Sequence, residues 1–187
     1  MLIEDQSFQQ VNFAQTPLSA NKYEVCSFHN CQFNEVNLSD LVFMECTFEN
    51  CDFSMVQLYE TAFREVQFKN CKLLGLNFDH CNPFIWSANF EHCQLNLASF
   101  REMKLTGITF QQCSMEEVDF TRAELNQSSF EQCDLHRAIF DQSNLEKADF
   151  RTAARYSIDP ENNYLKGARF SQLGLAGLLQ KYNLEIE

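Results

Sequence analysis

Phenylalanine recurs in this chain at intervals of twenty residues, and few folds satisfy that spacing. Phe8, Phe28, Phe48 and Phe68 form one series; Phe90, Phe110, Phe130, Phe150 and Phe170 form a second, displaced by two residues. A shorter period lies inside the long one. From Phe8 to Phe78 every fifth residue is apolar, and from Ile85 to Phe150 the rule resumes in the new phase. Every Phe except Phe84 occupies one of these two combs. A period of five matches neither the 3.6 of a helix nor the 2 of a strand. A helix would spread the rings around its circumference, and a flat strand would send alternate rings to opposite faces. A coil of square cross-section, one pentad per side, aims every ring at the axis, and four sides make the twenty-residue turn.

The residue two before each ring is the second apolar set. It includes Val36, Leu41, Val56, Ala98 and Ala123, and it takes in all nine Cys, among them the series Cys31, Cys51, Cys71, Cys93, Cys113 and Cys133. The other three residues of each pentad are mostly polar, so two positions in five face inward. The one break, Asp79 to Phe84, reads as a two-residue insertion, because both the Phe and the Cys ladders realign across it. The expected architecture is an all-β solenoid: a single coil over residues 1–170 with a corner bulge near 79–84. Neighbouring coils lie about 4.8 Å apart and complete each other's core.

Beyond Phe150 the pattern weakens, with Arg155, Pro160 and Leu165 at the central positions. Residues 171–187 read as a short α-helical cap. Ser171 is the expected N-cap, and Leu175, Leu178, Leu179 and Tyr182 share one face. With Phe170, that face is expected to cover the open end of the coil and to form a dimer contact, and NLEIE reads as a short terminal strand.

Convexity argues against catalysis. Cys residues stacked in line do not converge on one ion, and no C-x-x-C occurs, so no metal site is expected and the thiols read as small buried apolar groups. His29, His80, His92 and His136 fall at outward positions, on the opposite side of the backbone from the Cys. Carboxylates on a rod lack a cleft to shift their pKa values. The five scattered Gly make no phosphate loop. No catalytic residue and no cofactor is expected. The net charge of −12 and the absence of a basic stripe disfavour direct nucleic-acid binding. No apolar run approaches a membrane span. MLIEDQSF lacks the basic and apolar regions of a signal peptide, which leads to a cytoplasmic expectation with reduced thiols.

Segments such as ADFRTA, ANFEHC, CDLHRA and SNLEKA resemble the A(D/N)LXX unit of the pentapeptide-repeat proteins. The resemblance covers about residues 8–152. The ending YSIDPENNYLKGARFS, followed by a Leu-rich segment, is similar to the terminal module of a bacterial subgroup that includes the quinolone-resistance Qnr proteins, the albicidin-resistance protein and the microcin B immunity protein. The resemblance implies a right-handed quadrilateral β-helix that dimerises through its C-terminus, mimics DNA in shape and charge, and binds DNA gyrase. The uninterrupted rod is closer to the toxin-immunity type.

Charge supplies the candidate contacts. Residues 1–60 hold nine acidic residues against the single base Lys22, hence −8 of the net −12. Projected on the coil, Glu24, Glu45 and Glu65 fall on one side; Asp40, Glu60 and Glu102 follow the preceding corner, with Asp79 beside them. Such rows imitate DNA phosphates, or they form a solvated surface that keeps rods from aggregating end to end. Trp86, beside the central Ile85, is expected to face outward as a partner contact; the other reading folds Phe84 and Trp86 over the break to shield it. The column Asn30, Asn50, Asn70 reads as a side-chain amide ladder. Two functions follow: an acidic rod that binds a type II topoisomerase, or a protein-interaction scaffold with an unrelated partner.

Overall fold

A computed structural model of the chain describes residues 1–84 and 86–185. Its strands are short and parallel. They are β1 (Leu2–Glu4), β2 (Ser7–Gln9), β3 (Lys22–Glu24), β4 (Ser27–His29), β5 (Val42–Met44), β6 (Thr47–Glu49), β7 (Ala62–Lys69), β8 (Trp86–Glu91), β9 (Thr109–Gln111) and β10 (Ser129–Glu131). Register follows the twenty-residue period. Phe8 pairs with Phe28, Phe28 with Phe48 and Phe48 with Phe68. The series continues across the break from Phe68 to Phe90, Phe110 and Phe130. Isolated parallel bridges such as Asn37↔Gln57 and Gln32↔Asp52 continue the ladder on the remaining sides. The molecule is a parallel β-solenoid.

The rings pile in line. Successive centroids in the main column, from Phe8 to Phe170, lie between 4.7 Å (Phe28–Phe48) and 5.4 Å (Phe110–Phe130), and every pair is stacked. Rings in adjacent columns meet edge to face, as in Phe28–Phe33 at 5.7 Å and 64°. Both arrangements suit the aromatic quadrupole, so one packing scheme extends along the whole axis.

The corners are made by left-handed backbone. Asp5, Gln10, Val25, Asn30, Glu35 and Asp40 have φ of 52–63°. This region costs an L-residue about 1–2 kcal/mol. Each corner amide is satisfied by the next coil, as in Val25 N–H to Met44 O at 2.9 Å and Glu45 N–H to Arg64 O at 2.8 Å.

All nine Cys are buried and unbridged. Each thiol of the series donates to a carbonyl of the coil before it: Cys51 to Phe28 at 3.3 Å, Cys71 to Phe48 at 3.3 Å, Cys113 to Phe90 at 3.5 Å. Thr61 and Ser143 make the same bond through their hydroxyls, each at 2.9 Å. Where the position carries a thiol or hydroxyl, that group is thus satisfied by a carbonyl of the preceding coil. Burial pushes the Cys46 thiol up to about 12, which keeps it protonated and inert.

Two expectations about irregular segments are corrected. Residues 172–182 form no α-helix. They form 3-10 helices, Gln172–Leu178 and Gln180–Tyr182, although Ser171 does cap the first by accepting from Gly174 N–H at 3.1 Å. Gly174 and Gly177 explain the tighter winding. Both press against Tyr156, and a Cβ on either would collide with it. Arg155 does not occupy the core. Tyr156, one residue past the expected centre, does, at 3% exposure, while Ile158, two before Pro160, is buried in phase at 1%; the twenty-residue register holds on either side, at Asp134↔Ala154 and Asn144↔Tyr164. Asn183–Glu185 is not a strand; the rest of the expected terminal strand, and Ile85, lie outside the described residues.

Candidate partner-binding surface

The break itself departs from expectation. A 3-10 turn, Phe78–His80, leads into it. Phe63 then pairs with Trp86 and Val66 with Ala88, so Arg64 and Glu65 together face Ser87. The extra residue on β7 brings the offset between coils from 23 at Phe63↔Trp86 back to 22 at Val66↔Ala88, which then holds through Phe68↔Phe90. Trp86 consequently points inward. Its ring lies edge-on to Phe63 at 5.8 Å and to Phe78 at 5.5 Å. Phe84 does not shield the break either; it is 93% exposed, on a turn where its N–H donates to Asn82 Oδ1 at 3.0 Å.

The acidic residues are placed as follows. Glu45 and Glu65 occupy one corner column, with φ of 52° and 54°, headed by Asp5 and Val25. Glu24 lies one residue earlier, on β3 opposite Met44. Asp40, Glu60 and Glu102 share the neighbouring corner column, with φ of 62°, 54° and 58°. Glu60 accepts from Asn82 Nδ2 at 3.1 Å. Asp79 is half-buried beside that column. Pairing divides the set. Glu24 meets Lys22 at 2.8 Å, Glu102 meets Arg122 at 2.9 Å, and Glu65 lies 3.7 Å from Arg64. Among the described residues no cationic side chain pairs with Asp40, Glu45, Glu60 or Asp79. Asp5 heads its column without having been singled out by sequence; its spacing of forty from Glu45 was the available signal.

Further along the rod, ion pairs between coils neutralise the surface. Arg101 meets Asp119 at 2.7 Å and Arg137 meets Glu117 at 3.3 Å, while Arg155 binds Asp134. The Arg155 guanidinium holds the Asp134 carboxyl below its usual range, and Arg151 does the same for Asp149. His29 sits on the outer face against Glu49 at 3.1 Å.

At the C-terminal end Phe170 stacks on Phe150 at 5.3 Å, and Leu178 packs against the core. Leu179 is half-buried. Leu175 and Tyr182 remain 46% and 49% exposed, and Tyr182 Oη donates to Glu161 at 2.9 Å. Leu173, overlooked in the helical reading, is 97% exposed.

Among the described residues no group of His, Cys, Asp or Glu is arranged to hold a metal, and no helix is long and apolar enough to cross a membrane. Fold and surface together define a parallel β-solenoid whose outward face is a charged, corner-studded wall. A family model described as the pentapeptide repeat region matches residues 41–120 and 84–159. The chain belongs to the pentapeptide-repeat family. Two trypsin-treated forms of QnrB1, a plasmid-mediated fluoroquinolone resistance protein, are similar in fold over 100% of this chain and 98% and 100% of theirs, each with 18% identity and a TM-score of 0.50. HetL, a pentapeptide repeat protein involved in heterocyst differentiation regulation from the cyanobacterium Nostoc sp. strain PCC 7120, matches 93% of this chain with 86% of its own, at 16% identity and a TM-score of 0.41. No curated protein matches by sequence.

Proposed function

We propose that this protein is a non-enzymatic acidic rod that occupies the DNA-binding surface of a type II topoisomerase, DNA gyrase, and so confers immunity or resistance to a gyrase-directed antibiotic or toxin. One observation carries the reading: the carboxylates without cationic partners, Asp40, Glu45 and Glu60, stand on outward corners in the N-terminal third, where the net charge is concentrated. Stacked coils repeat such charges at intervals of about 4.8 Å, a spacing of the same order as the phosphates along one DNA strand, about 3.4 Å. The likeness in fold to QnrB1, a fluoroquinolone resistance protein, supports the same class of role. No bond is made or broken by the chain. It acts in the cytoplasm, as a dimer joined through residues 171–187, where Leu173 and Leu175 offer apolar contact. It does not itself bind nucleic acid or membrane.

Supercoiling by purified gyrase, with and without a poison, tests the proposal. The protein is expected to change supercoiling or poison-induced cleavage at micromolar concentration, and raised salt should weaken the effect steeply, because opposite charges on exposed surfaces are screened. Absence of any effect, together with a pull-down that enriches an unrelated protein, would replace it with the scaffold reading. Light scattering of the full chain against a form ending at Phe170 tests the dimer.

A further inference from the structure

Charge disappears from the rod over three successive coils. Residues 53–59, 73–78 and 93–100 hold no charged side chain, in a chain with 26 acidic and 14 basic residues. Acid returns on both sides, at Glu35 before them and at Glu116 and Glu117 after them. Apolar side chains stand in water in the same window. Met55 and Leu97 are 76% and 62% exposed, Tyr59 is likewise exposed, and Leu74 is half-buried. Met55 and Leu97 belong to one corner column, Glu35, Met55, Gly75, Leu97 and Glu117, with φ of 56–64°. Gly75 N–H donates to Asn96 O at 2.9 Å and Leu97 N–H to Glu116 O at 2.8 Å, so the column stacks coil on coil. Glu, Met and Leu hold the same backbone, so the corner itself does not demand Gly. An added Cβ at Gly75 would meet nothing within 4 Å. The column thus presents two apolar knobs with a notch between them. A groove of 540 Å³ opens from the notch, between Met55–Tyr59 and Leu74–Asn77.

Exposed apolar knobs within an uncharged patch have the composition of a protein contact. Two features select a second copy of this chain as the occupant. The first is charge. Rods of net charge −12 repel one another, and this window lets two of them meet without opposing carboxylates at its centre. The second is symmetry. A two-fold contact is self-complementary: where one residue meets another, the second meets the first across the axis. Met55 and Leu97 lie one coil on either side of Gly75, so an antiparallel pair with its axis at Gly75 sets each Met55 against the other copy's Leu97. We propose that two copies associate side by side through this window. The missing side chain at Gly75 lets the two walls approach, and each Leu97 enters the other copy's groove beside Met55, with Tyr59 as the far wall. Glu60, at the next corner, stays in water at the rim. One coil further from the axis Glu35 comes alongside Glu117, whose charge Arg137 offsets at 3.3 Å. Three coils span about 10–15 Å along the rod, so the contact belongs to the small, transient class. It lies on the wall of the rod, apart from residues 171–187.

Light scattering of the full chain at submillimolar concentration tests the contact. Met55→Lys and Leu97→Glu each press a charge against an apolar knob. Each should bring the mass to about half that of the unsubstituted protein, whether or not the C-terminal contact also forms. Mixing the two variants should restore the mass, because the introduced lysine then faces the introduced glutamate while the other Met55–Leu97 contact is intact. Val25→Lys, on the diagonally opposite corner, should leave the mass unchanged. All three side chains are exposed, so the substitutions leave the fold in place. An unchanged mass in both single variants, a loss that mixing does not reverse, or an equal loss in Val25→Lys would overturn the proposal. So would retention of a different protein through Met55 and Leu97 by a rod whose mass they do not alter.

Discussion

Val25 shows what the corners cost. It is a branched residue held at φ 53°, 48% exposed, in a column that also holds Asp5, Glu45, Glu65 and, past the break, Gly107. Left-handed backbone is least tolerable for a β-branched residue and most tolerable for Gly and Asn. Val25→Asn is therefore expected to raise stability by about 1 kcal/mol, read as a higher urea midpoint with an unchanged slope. Gly107 gives the converse. Its φ is 73° and an added Cβ meets nothing within 4 Å, so Gly107→Ala should lower stability through backbone strain alone. The same geometry accounts for the Asn30, Asn50, Asn70 column. These residues sit at φ 53°, 54° and 52°, which is reason enough for Asn without an amide ladder.

The column of stacked rings is the unit of stability at the scale of the elements. Phe110 is fully buried between Phe90 and Phe130, at 5.3 Å and 5.4 Å. Phe110→Ala should cost about 3–5 kcal/mol. Phe8, half-buried at the first coil, touches the column from one side only, and Phe8→Ala should cost clearly less. Thermal denaturation of the two variants checks the contrast, and equal losses would contradict an end-to-centre gradient. These columns were legible in sequence because each coil repeats the demand of its neighbour. A one-residue slip would misplace every ring in turn. The C-terminal segment was not legible in that way. Past Phe150 few coils remain to fix the register, and the volume of Tyr156 against Gly174 and Gly177 decided which residue went inside.

Over the whole molecule charge is distributed unevenly: open carboxylates in the first third and inter-coil ion pairs beyond. Asp134 and Asp149 are held below the ordinary carboxylate range by Arg155 and Arg151. Their folded pKa lies below the unfolded one. Their contribution is thus complete above the unfolded Asp value of about 3.9 and fades as pH falls through the folded value. The melting temperature should accordingly drop below about pH 4, and Asp149→Asn should flatten part of that drop. The effect will be modest, because exposed pairs are screened by solvent. Which carboxylates remain open was only half visible in sequence. The excess of acid over base in residues 1–60 could be counted, and Lys22 and Arg64 stand beside Glu24 and Glu65 in the chain, but the pairing of Glu102 with Arg122 depends on the winding that brings the two coils together.

By itself, the sequence determined the coil, its twenty-residue turn and the inward direction of almost every ring and thiol, because a period repeated along the chain admits only one register that keeps all of them out of water. The tertiary structure alone decided what happens where that repetition lapses: Trp86 turned inward, Phe84 left in solvent, and a 3-10 rather than an α wind at the end. At such places no neighbouring coil dictates the choice. It falls to local volume and to whichever polar atoms find partners.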